Sequence, residues 1–121
     1  MRVLGIRWVG VRADSYDEMV GFLRDVLGLR VAFEDDATAE LALENDDRVQ
    51  VFGPGHRYYE LFGAGGDGPV PLFEVDDLQT ARAELVAAGV EVIGEIERDA
   101  SWEWLTFRGP DGNLYELASR L

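Results

Sequence analysis

The 121-residue sequence contains no cysteine and a single histidine, His56. Without cysteine the chain has no disulfides and no thiol nucleophile, so we expect a cytoplasmic protein. With one histidine, a Ser-His-Asp arrangement would have to depend entirely on that residue. His56 is the only side chain with an ordinary pKa near neutrality. Its Gly/Pro-rich surroundings nevertheless favour a residue in a surface loop.

The chain also has few cations and no long apolar run. It carries 11 Lys and Arg against 24 Asp and Glu, a formal charge of −13. This charge argues against nucleic acid as a partner and favours either simple solubility or a cationic ligand. No apolar segment is long enough to span a bilayer or to resemble a signal peptide, so we expect no membrane association. A hydrophobic fraction of 47% suits one compact domain.

The chain does contain an internal repeat. Residues 14–28 have helical periodicity, with a predicted Ser15/Glu18 capping box at the start and Gly28 at the end. Residues 76–89 are also predicted to form a helix, with Asp76 or Asp77 as the N-cap and Gly89 at the end. Apolar strands precede both helices (3–12 and 70–75), and alternating strands follow them (29–34 and 90–96). The pattern predicts two strand-helix-strand-strand-strand units.

The most informative segment is 109–117, Gly-Pro-Asp-Gly-Asn-Leu-Tyr-Glu-Leu. Its turn residues lead directly into a strand in which Leu114, Glu116 and Ala118 share one face. A carboxylate on an apolar face needs a partner, a metal or a ligand. Two residues of the first half are candidates for the position that corresponds to Glu116. If Glu60 is aligned with Glu116, four strands follow the first helix, one more than in the second half. If Gln50 is aligned with it, three strands follow the helix in both units, so we favour Gln50.

One segment has the residue spacing of a dinucleotide-binding motif but lacks its structural context. Residues 63–68 satisfy G-x-G-x-x-G, which binds dinucleotides where a strand meets a helix. Pro69 and Pro71 follow, and no helix is predicted to begin there, so the N–H groups that would hold a pyrophosphate are missing. We interpret the segment as a linker.

Three segments together give the chain a family resemblance: 22–29 (FLRDVLGL), 73–78 (FEVDDL) and 107–117 (FRGPDGNLYEL). In this order and spacing they resemble the vicinal oxygen chelate superfamily, which includes glyoxalases, bleomycin-resistance proteins and extradiol dioxygenases. The resemblance implies an α+β fold of two tandem β-α-β-β-β modules whose curved mixed sheets enclose a pocket. We predict one domain, 1–121, with modules at 1–53 and 69–121 and a Gly/Pro-rich connection at 54–68. The resemblance also implies a homodimer.

Metal-using members of this superfamily place ligands on the first and last strands of each module. These positions fall here on Trp8, Gln50, Val70 and Glu116, of which only Glu116 is a good ligand for a divalent cation. We therefore expect no cofactor. A divalent metal, held by Glu116 with Gln50 or Glu60, belongs to the alternative in which the protein is an enzyme.

Three functions remain open at this point. We favour a metal-free protein that sequesters an aromatic or cationic small molecule, such as an antibiotic, with Trp8, Gln50, Val70, Trp102, Trp104 and Glu116 as ligand-binding residues. The alternative is a glyoxalase- or dioxygenase-like enzyme with Glu116 as catalytic base or residual metal ligand, because an apolar setting can raise the pKa of a carboxyl group. The third is a module that has lost its ligand and acts through another protein.

Overall fold

The computed structural model describes residues 1–63 and 68–121. Its described part contains eight strands, three α-helices and one π-helical turn, Phe22–Val26. The strands are β1 Val3–Arg12, β2 Arg30–Glu34, β3 Thr38–Ala42, β4 Arg48–Phe52, β5 Val70–Val75, β6 Val92–Arg98, β7 Trp102–Arg108 and β8 Leu114–Arg120. The helices are α1 Tyr16–Gly21, α2 Arg57–Gly63 and α3 Leu78–Ala87.

The chain divides into two compact units, which are described one at a time. The N-terminal unit is Trp8–Pro69, and the C-terminal unit combines Met1–Arg7 with Val70–Leu121. The element order is strand, helix and three strands in each half, from β1 to β4 and from β5 to β8. The predicted α+β fold class is therefore confirmed. The module boundaries at 53 and 69 stay a prediction.

In the N-terminal unit the strand order is β2-β3-β4-β1. β4 runs parallel to β1 and antiparallel to β3, which also pairs antiparallel with β2. One face of this sheet carries apolar residues that bury the apolar stripe of the first helix, as an amphipathic helix requires. The buried cluster consists of Tyr16, Val20, Leu23, Ala39, Leu41 and Val51.

In the C-terminal unit β5 runs parallel to β8, and β7 pairs antiparallel with both β8 and β6. Helix α3 covers one face, and the buried cluster there consists of Val75, Leu78, Ala81, Leu105 and Leu117. Of the two predicted caps it is Asp77 that caps α3, because its side chain accepts the backbone N–H of Thr80 at 2.8 Å.

The first helix departs from its prediction. Only Tyr16–Gly21 is α-helical, and the chain then continues as the π-helical turn, which brings the N–H of Leu27 to the carbonyl oxygen of Phe22 at 3.1 Å. The predicted capping box is wrong, because the Ser15 side chain makes no capping hydrogen bond. The predicted end is right, since Gly28 adopts the left-handed conformation (φ 75°) that favours glycine.

The predicted connection 54–68 is not simply a linker, because it contains α2. The same helix occupies the 57–62 run that could have matched the Glu116 strand, so that alternative is wrong. The G-x-G-x-x-G segment begins at Gly63, the last residue of α2, and its residues 64–67 lie outside the described residues.

Candidate functional site

The two faces of the C-terminal sheet differ in chemistry. Side chains alternate along a strand, and paired residues on neighbouring strands point to the same side. The apolar cluster under α3 contains Leu105 and Leu117, which are paired across β7 and β8. The opposite face, which we call the Glu116 face, carries Val70, Leu72 and Glu74 on β5, Trp102, Trp104 and Thr106 on β7, and Glu116 and Ala118 on β8.

Glu116 lies at the centre of this face and is almost fully buried, with 1% of its surface exposed. Its cross-strand partner is Thr106, which is also buried. The Thr106 hydroxyl donates a hydrogen bond to Glu116 Oε1 at 2.9 Å. A hydrogen bond to a charged carboxylate offsets part of the cost of burying it and fixes the orientation of its oxygens. The sequence prediction found Glu116 but missed Thr106.

The next row of the Glu116 face combines an aromatic ring with two carboxylates. Trp104 is paired with Glu97 on β6 and with Ala118 on β8, and Ala118 is paired with Glu74 on β5. The small Ala118 side chain separates the indole from Glu74. The row therefore combines a flat π surface with the Glu97 carboxylate on one flank and, on the other, Glu74, which forms an ion pair with Arg120. A π surface next to a carboxylate suits a planar cation.

Trp102 shares this face with Trp104, as predicted, but its ring is already in contact with cations. The guanidinium groups of Arg7 and Arg120 lie 5.0 Å and 4.7 Å from its ring centre. Arg120 also forms an ion pair with Glu74 at 3.5 Å. Trp102 thus stacks with two arginines of its own unit.

The N-terminal unit places Trp8 in an aromatic cluster. Trp8 is 8% exposed, and its ring lies 5.9 Å from that of Phe52 and 6.4 Å from that of Phe62. The ring also lies close to Gly10, where an added Cβ atom would come within 2.5 Å of it. Trp8 therefore contributes to the core of this unit through α2, which carries Phe62.

Gln50 occupies the register position in the N-terminal unit that Glu116 occupies in the C-terminal unit. Gln50 pairs with Gly10 across β4 and β1, and Glu116 pairs with Leu72 across β8 and β5. Trp8 precedes Gly10 by two residues, as Val70 precedes Leu72. The Gln50 amide donates to the Thr38 hydroxyl at 3.2 Å, whereas the competing candidate, Glu60, is exposed on α2.

His56 is more enclosed than the surface-loop prediction allowed. Its imidazole is partly buried and lies 5.0 Å from the ring of Phe52 and 5.4 Å from that of Tyr58. Burial lowers the pKa of His56, and Arg57 lowers it further, while Asp35 opposes them. The signal that was missed is the spacing of Tyr58 and Phe62, which are four residues apart and therefore share one face of a helix.

The donor chemistry does not fit a divalent metal. Indole and valine supply no ligand atom, and the Gln50 amide is a weak neutral ligand, so Glu116 is the sole strong donor among the four predicted positions. Within residues 1–63 and 68–121 no group of three or more His, Cys, Asp or Glu side chains is arranged to hold a metal ion.

A family model matches almost the whole chain. The model of the glyoxalase/bleomycin resistance protein/dioxygenase superfamily aligns with residues 5–117. The chain belongs to this superfamily. The resemblance inferred from the three sequence segments is thus confirmed, although a comparison with curated proteins found no match.

Solved structures of superfamily members share the fold. A methylmalonyl-CoA epimerase from Mycobacterium tuberculosis has a TM-score of 0.79 at 21% identity, with 98% of this chain and 89% of that chain covered. A variant of the Streptomyces coelicolor methylmalonyl-CoA epimerase, in complex with 2-nitronate-propionyl-CoA, has a TM-score of 0.77 at 20% identity and covers 98% of both chains. At these identities the similarity establishes the fold alone.

A Mn(II)-bound glyoxalase from Novosphingobium aromaticivorans is 28% identical, with a TM-score of 0.72. The match covers 98% of this chain but 39% of the glyoxalase. Metal-binding and acyl-CoA-binding proteins thus both occur among the structures that share this fold. Separately, none of the described helices is long and apolar enough to cross a membrane.

Proposed function

We propose that this superfamily member binds a planar cationic small molecule, such as an antibiotic, on the Glu116 face without the help of a metal. The observation that carries the proposal is the row in which Trp104 lies between the positions of Glu97 and Glu74, next to the buried Glu116. A planar cation would stack on the Trp104 indole, and the Glu97 carboxylate on the neighbouring strand would attract its charge. The formal charge of −13 adds a long-range attraction for cations.

The proposal assigns a different weight to each predicted ligand-binding residue. Trp104, which is partly exposed, is the primary contact, while Glu116 and Val70, which are 1% and 3% exposed, lie behind it and contribute negative charge and apolar surface to the same face. Trp102 acts indirectly, since its ring stacks with Arg7 and Arg120. Trp8 and Gln50 stay predictions as ligand contacts, as do the homodimer and the cytoplasmic location.

Fluorescence titration with a panel of planar cationic and neutral aromatic compounds tests this proposal. We expect cationic members to quench tryptophan fluorescence and to raise the melting temperature, because a ligand that binds only the folded state stabilises it. Glu97→Gln should weaken binding, whereas Glu95→Gln, an equal change of charge at an exposed position of the same strand, should have little effect. No quenching and no thermal shift across the panel would contradict the proposal.

A second candidate function is proton transfer, with Glu116 as the base. The hydrogen bond from Thr106 supports this reading, because it orients a buried carboxylate. The relatives that share the fold include methylmalonyl-CoA epimerases, one of them in complex with an acyl-CoA. An enzyme of this class would exchange the α-proton of an acyl thioester with solvent.

Incubation with acyl-CoA thioesters in D2O separates the two functions. Deuterium incorporation at the α-carbon that Glu116→Gln abolishes would establish the enzyme. Binding of planar cations without any exchange would support the binding protein.

A further inference from the structure

His56 lies at the N-terminal end of α2 and holds that end through its ring nitrogen. The backbone N–H of Tyr58 donates to His56 Nδ1 at 3.1 Å. The N–H groups of the first helical turn have no partner within the helix, so this contact takes the place of a side-chain cap. Nδ1 accepts a hydrogen bond only when it carries no proton, so the contact requires neutral imidazole.

Helix α2 packs over the aromatic residues of the N-terminal sheet. Tyr58 and Phe62 lie on its buried side, and their rings are 5.7 Å and 5.2 Å from the ring of Phe52. Phe62 also contacts Trp8. The burial of Trp8 therefore depends in part on α2 staying in place.

Arg12 holds α2 at its third residue, Tyr59, and at its last, Gly63. The Arg12 guanidinium donates to the carbonyl oxygen of Tyr59 at 2.5 Å and lies 4.2 Å from the centre of the Tyr59 ring. It also passes so close to Gly63 that an added Cβ atom would come within 2.5 Å of it. Arginine stays charged over the whole physiological range, so this attachment does not respond to pH.

We propose that the start of α2 is an acid-released cover over the Phe52 ring, with His56 as the group that senses pH. Protonation of Nδ1 places two N–H donors opposite each other, which breaks the contact with the Tyr58 amide. The contact of the Tyr58 amide then opens and the first residues of α2 loosen, while Arg12 keeps Tyr59 and Gly63 attached. The consequence is movement of the Tyr58 ring away from Phe52, whereas Phe62 stays in contact with Trp8. This inference does not depend on the ligand proposed for the Glu116 face.

The charged groups around His56 define the pH range. Burial among the rings of Phe52 and Tyr58 lowers the pKa of His56, Arg57 next to it acts in the same direction, and Asp35 in the turn between β2 and β3 acts against them. The folded state thus resists protonation more than the unfolded chain, whose histidine has a pKa of about 6.5. The stabilising contribution of His56 is complete above that value and is lost as the pH falls through the lower, folded pKa.

Hydrogen exchange of the full-length protein tests the proposal. Protection factors for α2 amides, corrected for the pH dependence of intrinsic exchange, are measured from pH 8 to pH 5. We expect protection of the Tyr58 amide, which donates to His56 Nδ1, to fall about tenfold, the equivalent of about 1.4 kcal/mol, while β8 keeps its protection. The matched variant is His56→Asn, whose amide oxygen can accept the same hydrogen bond and does not titrate.

In His56→Asn the α2 protection should stay constant with pH. An equal loss of protection in this variant, or constant protection in the wild-type protein, would overturn the proposal. A measurement without any variant comes from NMR, because the chain has one histidine and therefore one imidazole titration curve. The Tyr58 amide shift should follow that curve with the same midpoint, and a Tyr58 amide that does not titrate with His56 would also overturn it.

Discussion

Neutralising Glu116 should affect stability less than removing its hydrogen-bond donor. In Glu116→Gln the side chain keeps its shape, and Thr106 can still donate to the oxygen that lies 2.9 Å away. A hydrogen bond to a charged group contributes about 1.5–3 kcal/mol and a neutral one about 0.5–1.5 kcal/mol. Relief of the cost of burying a charge opposes this loss. We therefore expect the free energy of unfolding to fall by about 1 kcal/mol or less.

In Thr106→Val the buried Glu116 side chain loses this donor. The loss of a hydrogen bond to a carboxylate costs about 1.5–3 kcal/mol, so this variant should be the less stable of the two. Thr106→Ser, which restores the hydroxyl, should recover most of the loss. Urea denaturation, evaluated by linear extrapolation, measures all three variants. A loss well above 3 kcal/mol for Glu116→Gln with no change for Thr106→Val would refute this account of the pair.

Three other predictions follow from packing and titration. Leu78→Ala, at a position with no exposed surface, should cost about 2–5 kcal/mol in urea denaturation, whereas Leu121→Ala, at a 63% exposed position, should change stability by less than about 0.5 kcal/mol. Gly10→Ala should destabilise by about 1–3 kcal/mol, because the new Cβ atom would meet the Trp8 ring; Gly5→Ala in the same strand, with nothing within 4 Å, is its control. Burial, together with Glu34 and Asp35, raises the pKa of Tyr16 to about 12, so stability should fall as the pH rises above about 10, the usual tyrosine pKa. Ultraviolet absorbance should then show late ionisation of Tyr16 and also of Tyr115, because a hydrogen bond to Asp111 raises the pKa of Tyr115. Ionisation of all four tyrosines near pH 10 would contradict the burial argument.

Much of the fold is predictable because local and long-range requirements agree. β1 and β5 have the predicted bounds, 3–12 and 70–75. Gly28 and Gly89 end their helices with positive φ, a conformation that glycine adopts without steric cost. In such segments hydrophobic periodicity and turn chemistry favour the same structure, so the sequence alone is informative.

The incorrect predictions concern segments whose structure depends on tertiary contacts. Ser15 and Asp77 are similar cap candidates, yet only Asp77 uses its side chain. The Ser15 carbonyl oxygen accepts the backbone N–H of Met19, which is the first hydrogen bond of the helix. Helix α2 was missed because Gly53, Pro54 and Gly55 precede it and its tyrosines are typical of strands. Its stability comes from burial of two rings, which local propensity does not report.

The candidate site was predicted only in part, because some of its residues are recognisable from local sequence and others only from tertiary contacts. Glu116 stands out because a charged residue in an apolar strand is rare, and its turn defines the register. Thr106 does not stand out, since threonine is common in strands, and its role becomes visible only when Thr106 is paired with Glu116. The arginines that stack on Trp102 lie 95 residues before it and 18 residues after it, so sequence spacing gave no indication of the contact.

The central claim is that this superfamily member binds its ligand without a divalent cation. The most direct measurement is the affinity of one planar cationic ligand before and after exhaustive chelation, with the metal content determined in both samples. We predict the same dissociation constant in both, because only one of the four family ligand positions carries a strong donor. Loss of binding on chelation, restored by stoichiometric manganese, zinc, iron or nickel, would contradict the claim.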